Sequence, residues 1–285
     1  MMAQMAGLRN AFLSRGRAVA AALLVLAACS SGPPPVEPGL ATPRALDPAK
    51  YRAPGIPSRF GDVSPTAWGH PAPDSHAVHG IDASRWQGEI DFHKARAAGV
   101  SFAWLKATEG GDRADPGYKR NAAAARAAGV PVGAYHFYYF CRSAREQAQW
   151  FIANVPREKG DLPPVLDMEW NHLSPSCKLR PPAETVRAEI VTYAQAIERH
   201  YGTRPVIYVT PDFYADNALG QLSGYEFWLR SVAAHPSERY PGESWSFWQY
   251  TGTGVVPGVG GKVDLNAFSG SHRNWQGWLE ARQQR

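Results

Sequence analysis

The chain has 285 residues, 44% of them hydrophobic and 12% aromatic, enough for one large domain or two small ones with a substantial core. Its formal charge is +5, but Arg9, Arg15 and Arg17 fall in a leader expected to be removed, which leaves +2. No dense Lys/Arg run occurs beyond that leader, so the basic balance does not indicate a nucleic-acid partner.

Met1 to Arg17 carries three arginines and no acid, and Ala18 to Ala28 is an apolar run of eleven residues. That is too short for a transmembrane helix and suits the core of an export signal. It ends in Leu26-Ala27-Ala28-Cys29, which resembles a bacterial lipobox, whose cysteine becomes the lipidated first residue. Ser30 stands next, where an aspartate would signal inner-membrane retention. The resemblance implies a lipid anchor on Cys29 in the outer membrane, facing the periplasm. Residues 1–28 are thus read as a lipoprotein signal peptide and 29–76 as a tether. Prolines recur from Pro33 to Pro73 and disfavour regular helix or central strand. Residues 77–285 are read as the folded domain.

From Val78 the pattern alternates. Val78–Ile81 reads as a strand ending at Asp82, and Asp91–Ala98 as a helix stopped by Gly99. Ser101–Lys106 is a second strand, and Gly117–Ala128 a second helix stopped by Gly129. Pro131–Phe137 is a strand, Ser143–Asn154 a helix and Pro164–Asp167 a strand. Glu184–Tyr201 is a long helix closed by Gly202, and Pro205–Val209 a further strand. Strands and helices alternating at this spacing predict parallel βαβ units. Beyond Val209, Phe227–Arg230, Ser246–Tyr250 and Val263–Leu265 read as strands between Gly/Pro-rich gaps. Gly252-Thr253-Gly254 follows a strand without opening a helix and reads as a loop, not a phosphate cradle. The fold class predicted is α/β: an irregular TIM-like β/α barrel with regular β/α units first and helix-poor final strands. No cofactor motif is present, and the histidines lack metal-ligand spacing.

The informative acids fall at predicted strand ends. Asp82 closes the first strand, Asp167 and Glu169 end Val165-Leu-Asp-Met-Glu169, and Asp264 lies in the last. In a β/α barrel the C-terminal strand ends surround one mouth. Residues i and i+2 of a strand face the same way with Cα atoms roughly 6.5 Å apart. Asp167 and Glu169 can therefore address one glycosidic bond, one carboxyl protonated to donate, the other ionised to stabilise positive charge. Crowding and burial separate the two pKa values.

Several ordered segments resemble glycoside hydrolase family 25, the fungal and streptomycete lysozymes. They are His79-Gly-Ile-Asp-Ala-Ser-Arg-Trp-Gln-Gly88, Phe102-Ala-Trp-Leu-Lys-Ala-Thr-Glu-Gly110, Gly133-Ala-Tyr-His-Phe137, Pro164-Val-Leu-Asp-Met-Glu169, Ile207-Tyr208, Phe227-Trp-Leu229, Phe247-Trp-Gln-Tyr250 and Val263-Asp-Leu-Asn266. The resemblance covers about residues 78 to 270 and makes 77–285 a family 25-like catalytic domain. It implies a peptidoglycan hydrolase cutting the β-1,4 bond between N-acetylmuramic acid and N-acetylglucosamine. Glu169 matches the general acid and Asp167 the carboxylate that assists the substrate's N-acetyl group. Asp82 and Asp264 match further cleft acids. Tyr135, Tyr208, Trp228 and Gln249 match the sugar-binding wall, while Glu109 and Lys106 are either cleft residues or a buried ion pair. No cofactor is implied, and a monomer is expected.

Cys141 and Cys177 follow two strands on the mouth side and can pair in an oxidising periplasm. Such a bridge is expected to brace loops at one end of the groove. Two alternatives stand beside this reading: a chitinase-like glycosidase, which shares the Asp-x-Glu pair, and a non-catalytic peptidoglycan-binding lipoprotein.

Overall fold

A computed structural model describes residues 55–285. The expected signal peptide, Cys29 and the first half of the expected tether lie outside the described residues.

The regular part follows the predicted alternation. Strand β2 (Val78–Ala83) leads to helix α1 (Phe92–Ala98), and β3 (Ala103–Glu109) to α2 (Tyr118–Ala127). Strand β5 (Val132–Phe137) leads to α3 (Ala144–Asn154), and β6 (Val165–Met168) to α4 (Ala183–Tyr201). Two-residue strands β1 (Gly61–Asp62) and β4 (Arg113–Ala114) lie at the periphery. Local chemistry sets the helix ends. Asp91 accepts from Lys94 N at the start of α1, and Ser143 and Glu146 form a capping box on α3. Gly99 and Gly202 end α1 and α4 in left-handed conformation, where a side chain would be strained.

The later helices are shorter. Strand β7 (Val206–Val209) precedes α5 (Pro211–Asp216), and β8 (Glu226–Arg230) precedes α6 (Pro236–Arg239). Strand β9 (Phe247–Val255) then runs directly to β10 (Val263–Phe268), and α7 (His272–Arg282) closes the chain. Neighbours from β2 to β9 are parallel in the order β2-β3-β5-β6-β7-β8-β9. Strand β10 pairs antiparallel with both β9 and β2 and closes an eight-stranded barrel. The protein is thus a mixed α/β fold around a closed barrel.

Three elements differ from the sequence expectations. The segment Gly252-Thr253-Gly254 lies within β9 and is not a loop. Its glycine at 254 has a packing reason, because a Cβ there would lie 2.4 Å from Leu265 Cγ. The unpredicted α7 carries Trp275 and Leu279 into the base of the barrel. The proline-rich segment, expected to be a tether up to residue 76, is instead folded onto the domain from Gly55. It forms a strap on the wall where β9 and β10 have no covering helix. Ile56, Phe60 and Trp68 pack on the core, Trp68 edge-on to Trp248 at 5.2 Å, and β1 pairs with the end of β9. Proline excludes regular helix but not a strap held by side chains and a few hydrogen bonds.

Strand periodicity divides the interior into two storeys. Outward residues such as Ile81, Leu105, Leu166, Ile207 and Leu229 meet the helices. Inward residues at the lower end form an apolar floor of Val78, Phe102, Trp104, Val165, Val206 and Phe247, plugged by Trp275 of α7. Trp104 occupies so much space that the adjacent inward position of β5 is Gly133, where a Cβ would lie 2.5 Å from Trp104 Nε1. The inward residues at the upper end are polar.

Candidate active site

The upper storey opens as a cavity of about 300 Å³ lined by all four acids singled out in the sequence, Asp82, Asp167, Glu169 and Asp264. Asp82 and Asp264 face each other across the antiparallel β2–β10 pair. Asp167 ends β6, with Glu169 one residue beyond the strand. Two cations, Lys106 and Arg230, and several aromatics, among them Tyr135 and Phe137, complete the surround.

Asp82 is the best anchored acid. Its Oδ1 accepts from Asn266 Nδ2 at 2.8 Å and from Gln249 Nε2 at 3.1 Å. Each amide is oriented in turn by an aromatic donor. Trp228 Nε1 donates to Asn266 Oδ1 at 2.8 Å, and Tyr208 OH to Gln249 Oε1 at 2.9 Å. Each amide's hydrogen-bonding direction is fixed by its partners, so Asp82 cannot swing away.

Asp167 is anchored differently. It is 7% exposed, and its Oδ1 has no hydrogen-bond partner among the described residues. Burial, then the charge of Glu169, raises its pKa well above the usual carboxylate range. Burial also raises Glu169, against the opposing fields of Arg230 and Lys106. Burial pushes Asp82 up to about 6 and Asp264 up to about 8, the latter also through the charge of Asp82. The four carboxyls lie close enough to perturb one another and so do not ionise independently. Tyr135 and Tyr208 are raised well above their ordinary value by burial and by the nearby acids, and act as neutral hydroxyls.

The loops carrying these residues are held together. Cys141 and Cys177 form a disulfide with Cα atoms 5.8 Å apart, joining the loop after β5 to the loop after β6. Trp170, next to Glu169, donates to Asp216 at 2.8 Å, stacks obliquely on Phe213 and lies under the Arg180 guanidinium.

The remaining expected site residues divide into groups. Tyr135 lines the cavity and is half-buried. Tyr208 and Gln249 also line it, with their polar atoms committed to the Asp82 network. Trp228 also lines the cavity, at its base, where the cavity meets the aromatic floor. It is buried and stacked on Trp104 at 5.0 Å, because its inward position lies one step below the mouth. Glu109 lies outside the carboxylate cavity and pairs with Lys106 at 2.5 Å and Arg113 at 3.3 Å. Lys106 lines the cavity, so the pair straddles its edge. Sequence reasoning missed Arg230, Asn266 and Trp86 as mouth residues. Arg230 ends a predicted strand, and Asn266 lies two residues beyond Asp264 on the same face, so strand-end logic carried a signal for both. Nothing in a single sequence separates an exposed Trp86 from a core tryptophan.

A barrel mouth with a paired Asp-x-Glu and two further acids is the site of a glycoside hydrolase. Comparison with known proteins agrees: the model of glycosyl hydrolases family 25 matches residues 81–259, and the chain belongs to that family. Lysozyme M1 of Streptomyces globisporus is 36% identical over 214 residues, covering 70% of each chain. YegX of Escherichia coli O6:H1, an uncharacterized protein, is 37% identical over 216 residues, covering 73% of this chain and 75% of that one. The solved structure of a family 25 glycosyl hydrolase from Bacillus anthracis superposes with a TM-score of 0.66 at 32% identity. It covers 75% of this chain and 99% of that one.

Proposed function

We propose that this enzyme is a muramidase, hydrolysing the β-1,4 bond between N-acetylmuramic acid and N-acetylglucosamine in peptidoglycan. The observation that carries the reading is the buried Asp167 beside Glu169, in a cavity open to a polymer and lined by Asp82 and Asp264. Glu169 is the general acid. Its raised pKa keeps a proton available, which it gives to the glycosidic oxygen as the C1–O bond breaks. The carbonyl oxygen of the substrate's own N-acetyl group attacks C1 and forms a cyclic oxazolinium. Asp167, whose Oδ1 has no partner among the described residues, accepts from the amide N–H and acts as the carboxylate, because the oxazolinium's positive charge offsets the burial that raises its pKa. Water, deprotonated by Glu169, then opens the ring and returns the reducing sugar. Asp82 and Asp264 set the field around this pair.

Export and anchoring belong to the same reading. The signal ending at Cys29 would lipidate that residue and hold the enzyme on the periplasmic face of the outer membrane. Replacing Cys29 with Ala should move the protein from the membrane to the soluble fraction.

The test is mass spectrometry of products from purified sacculi, with wild type and Glu169→Gln compared. Fragments with reducing muramic acid, lost in the variant, are expected. Anhydro-muramic ends would replace hydrolysis with lytic transglycosylation. Binding to sacculi without release of fragments would replace catalysis with wall attachment.

A further inference from the structure

One rim of the mouth carries a feature that the carboxylate chemistry does not use. Trp86 is 78% exposed, although burying a large apolar side chain is worth about 1.5–3 kcal/mol. The turn that presents it is pinned on several sides. Ser84 and Gln87 close a capping box around the single 3-10 turn Arg85–Gln87. Gln87 Nε2 donates to Lys262 O at 2.8 Å, and Arg85 N donates to Asp115 Oδ2 at 2.8 Å. A fixed backbone therefore holds the indole in water.

Trp86 lines the carboxylate cavity and also a smaller cavity beside it, which reaches Arg85 and Arg113. The Arg85 guanidinium lies 4.9 Å from the indole centroid. It forms no ion pair among the described residues. Asp115 is near, but its oxygens take the backbone N–H groups of Arg85 and Gly117. Glu109 is already shared by Lys106 and Arg113. An aromatic face, an unpaired guanidinium and a half-exposed second one thus adjoin the groove end on the β3 side.

We propose that Trp86, Arg85 and Arg113 form a binding subsite for a peptide-bearing amino sugar, its pyranose face on the indole and a carboxylate of its peptide on the guanidinium groups. This rests on the peptidoglycan reading above. The chemistry separates the two halves. Any N-acetylhexosamine ring offers C–H bonds to an indole face; chitin offers no carboxylate to arginine, and a muramic acid whose lactyl carboxyl is amide-linked offers one only through its acidic peptide. The subsite therefore makes the enzyme favour glycan that still carries its peptides over chitin or glycan whose lactyl carboxyls are blocked and bear no peptide.

The experiment uses the full chain with Glu169→Gln to prevent turnover. Two glycan-chain preparations from the same sacculi are titrated by calorimetry, one with peptides retained and one with them removed by an amidase and the freed lactyl carboxyls converted to methylamides. Adding Trp86→Ala is expected to weaken both about tenfold. Adding Arg85→Gln with Arg113→Gln is expected to weaken only the peptide-bearing chains, about fivefold or more, with the difference shrinking at high salt. Arg85→Lys should recover part of that loss. Unchanged binding on Trp86→Ala, or equal weakening of both preparations by the arginine pair, overturns the subsite alone. If the parent binds neither preparation, the peptidoglycan reading falls and takes the subsite with it.

Discussion

The two storeys of the barrel interior are built from the same strands and differ in almost every physical respect. On the floor, Phe102, Trp104, Phe247 and Trp275 interlock edge-to-face or tilted, and the one polar atom of Trp104 is satisfied by Pro163 O at 3.1 Å. Two positions further along the strands, Lys106 stands above Trp104, Asp167 above Val165 and Arg230 above Trp228. There charge is buried, and Asp167 keeps an oxygen without a partner. Stability is concentrated below and stored electrostatic cost above, where it can be turned into catalysis. A rigid floor lets the mouth tolerate groups that would otherwise open it.

That contrast can be broken at either storey. The largest effect belongs to the mouth: Glu169→Gln should lower kcat by about 10²–10⁴-fold, read as reducing ends released from sacculi. Its melting temperature should stay level or rise, because a partly buried charge is removed. A matching loss of stability would show that Glu169 is structural.

Trp104→Ala reverses the pattern. Removing the central floor residue should cost about 3–5 kcal/mol in denaturant unfolding. Any activity measured well below the new midpoint should fall far less than in Glu169→Gln. Cys141→Ser with Cys177→Ser tests the braced loops between these extremes. The chain-entropy model for a loop of this size allows about 2–4 kcal/mol. Because the bridge ties the loop that begins at Glu169, kcat should fall with stability, whereas a bridge remote from the site would affect stability alone.

The smallest effect is a pH slope. Asp82 titrates near 6 and Asp264 near 8 when folded, against about 3.9 for an unfolded aspartate. The folded state then holds more protons than the unfolded state between about pH 4 and pH 8. Their contribution is fully present below about pH 4 and is lost as pH rises through the folded values. Coupling among the acids spreads this loss over several pH units, so the slope is the quantity to read. Melting temperatures of Asp264→Asn across this range should show a flatter slope, and an unchanged slope would place the titration elsewhere.

Much of this was legible from the chain alone, for reasons of period and punctuation. Alternation of two within short apolar runs marked the strands, glycines marked the helix ends, and Asp-Met-Glu at a strand end marked the pair. Those signals are local and survive without partners. The three-dimensional fold settled what depends on neighbours distant in sequence. Only the closure of β10 onto β2 sets Asp264 against Asp82, and only the stacking on Trp104 puts Trp228 at the base of the cavity. Ion pairing drew Glu109 aside, and packing on an uncovered wall made the end of the proline-rich segment a strap. Periodicity says which way a side chain points along its own strand. What it meets there is decided by the other strands, and so by the closed barrel.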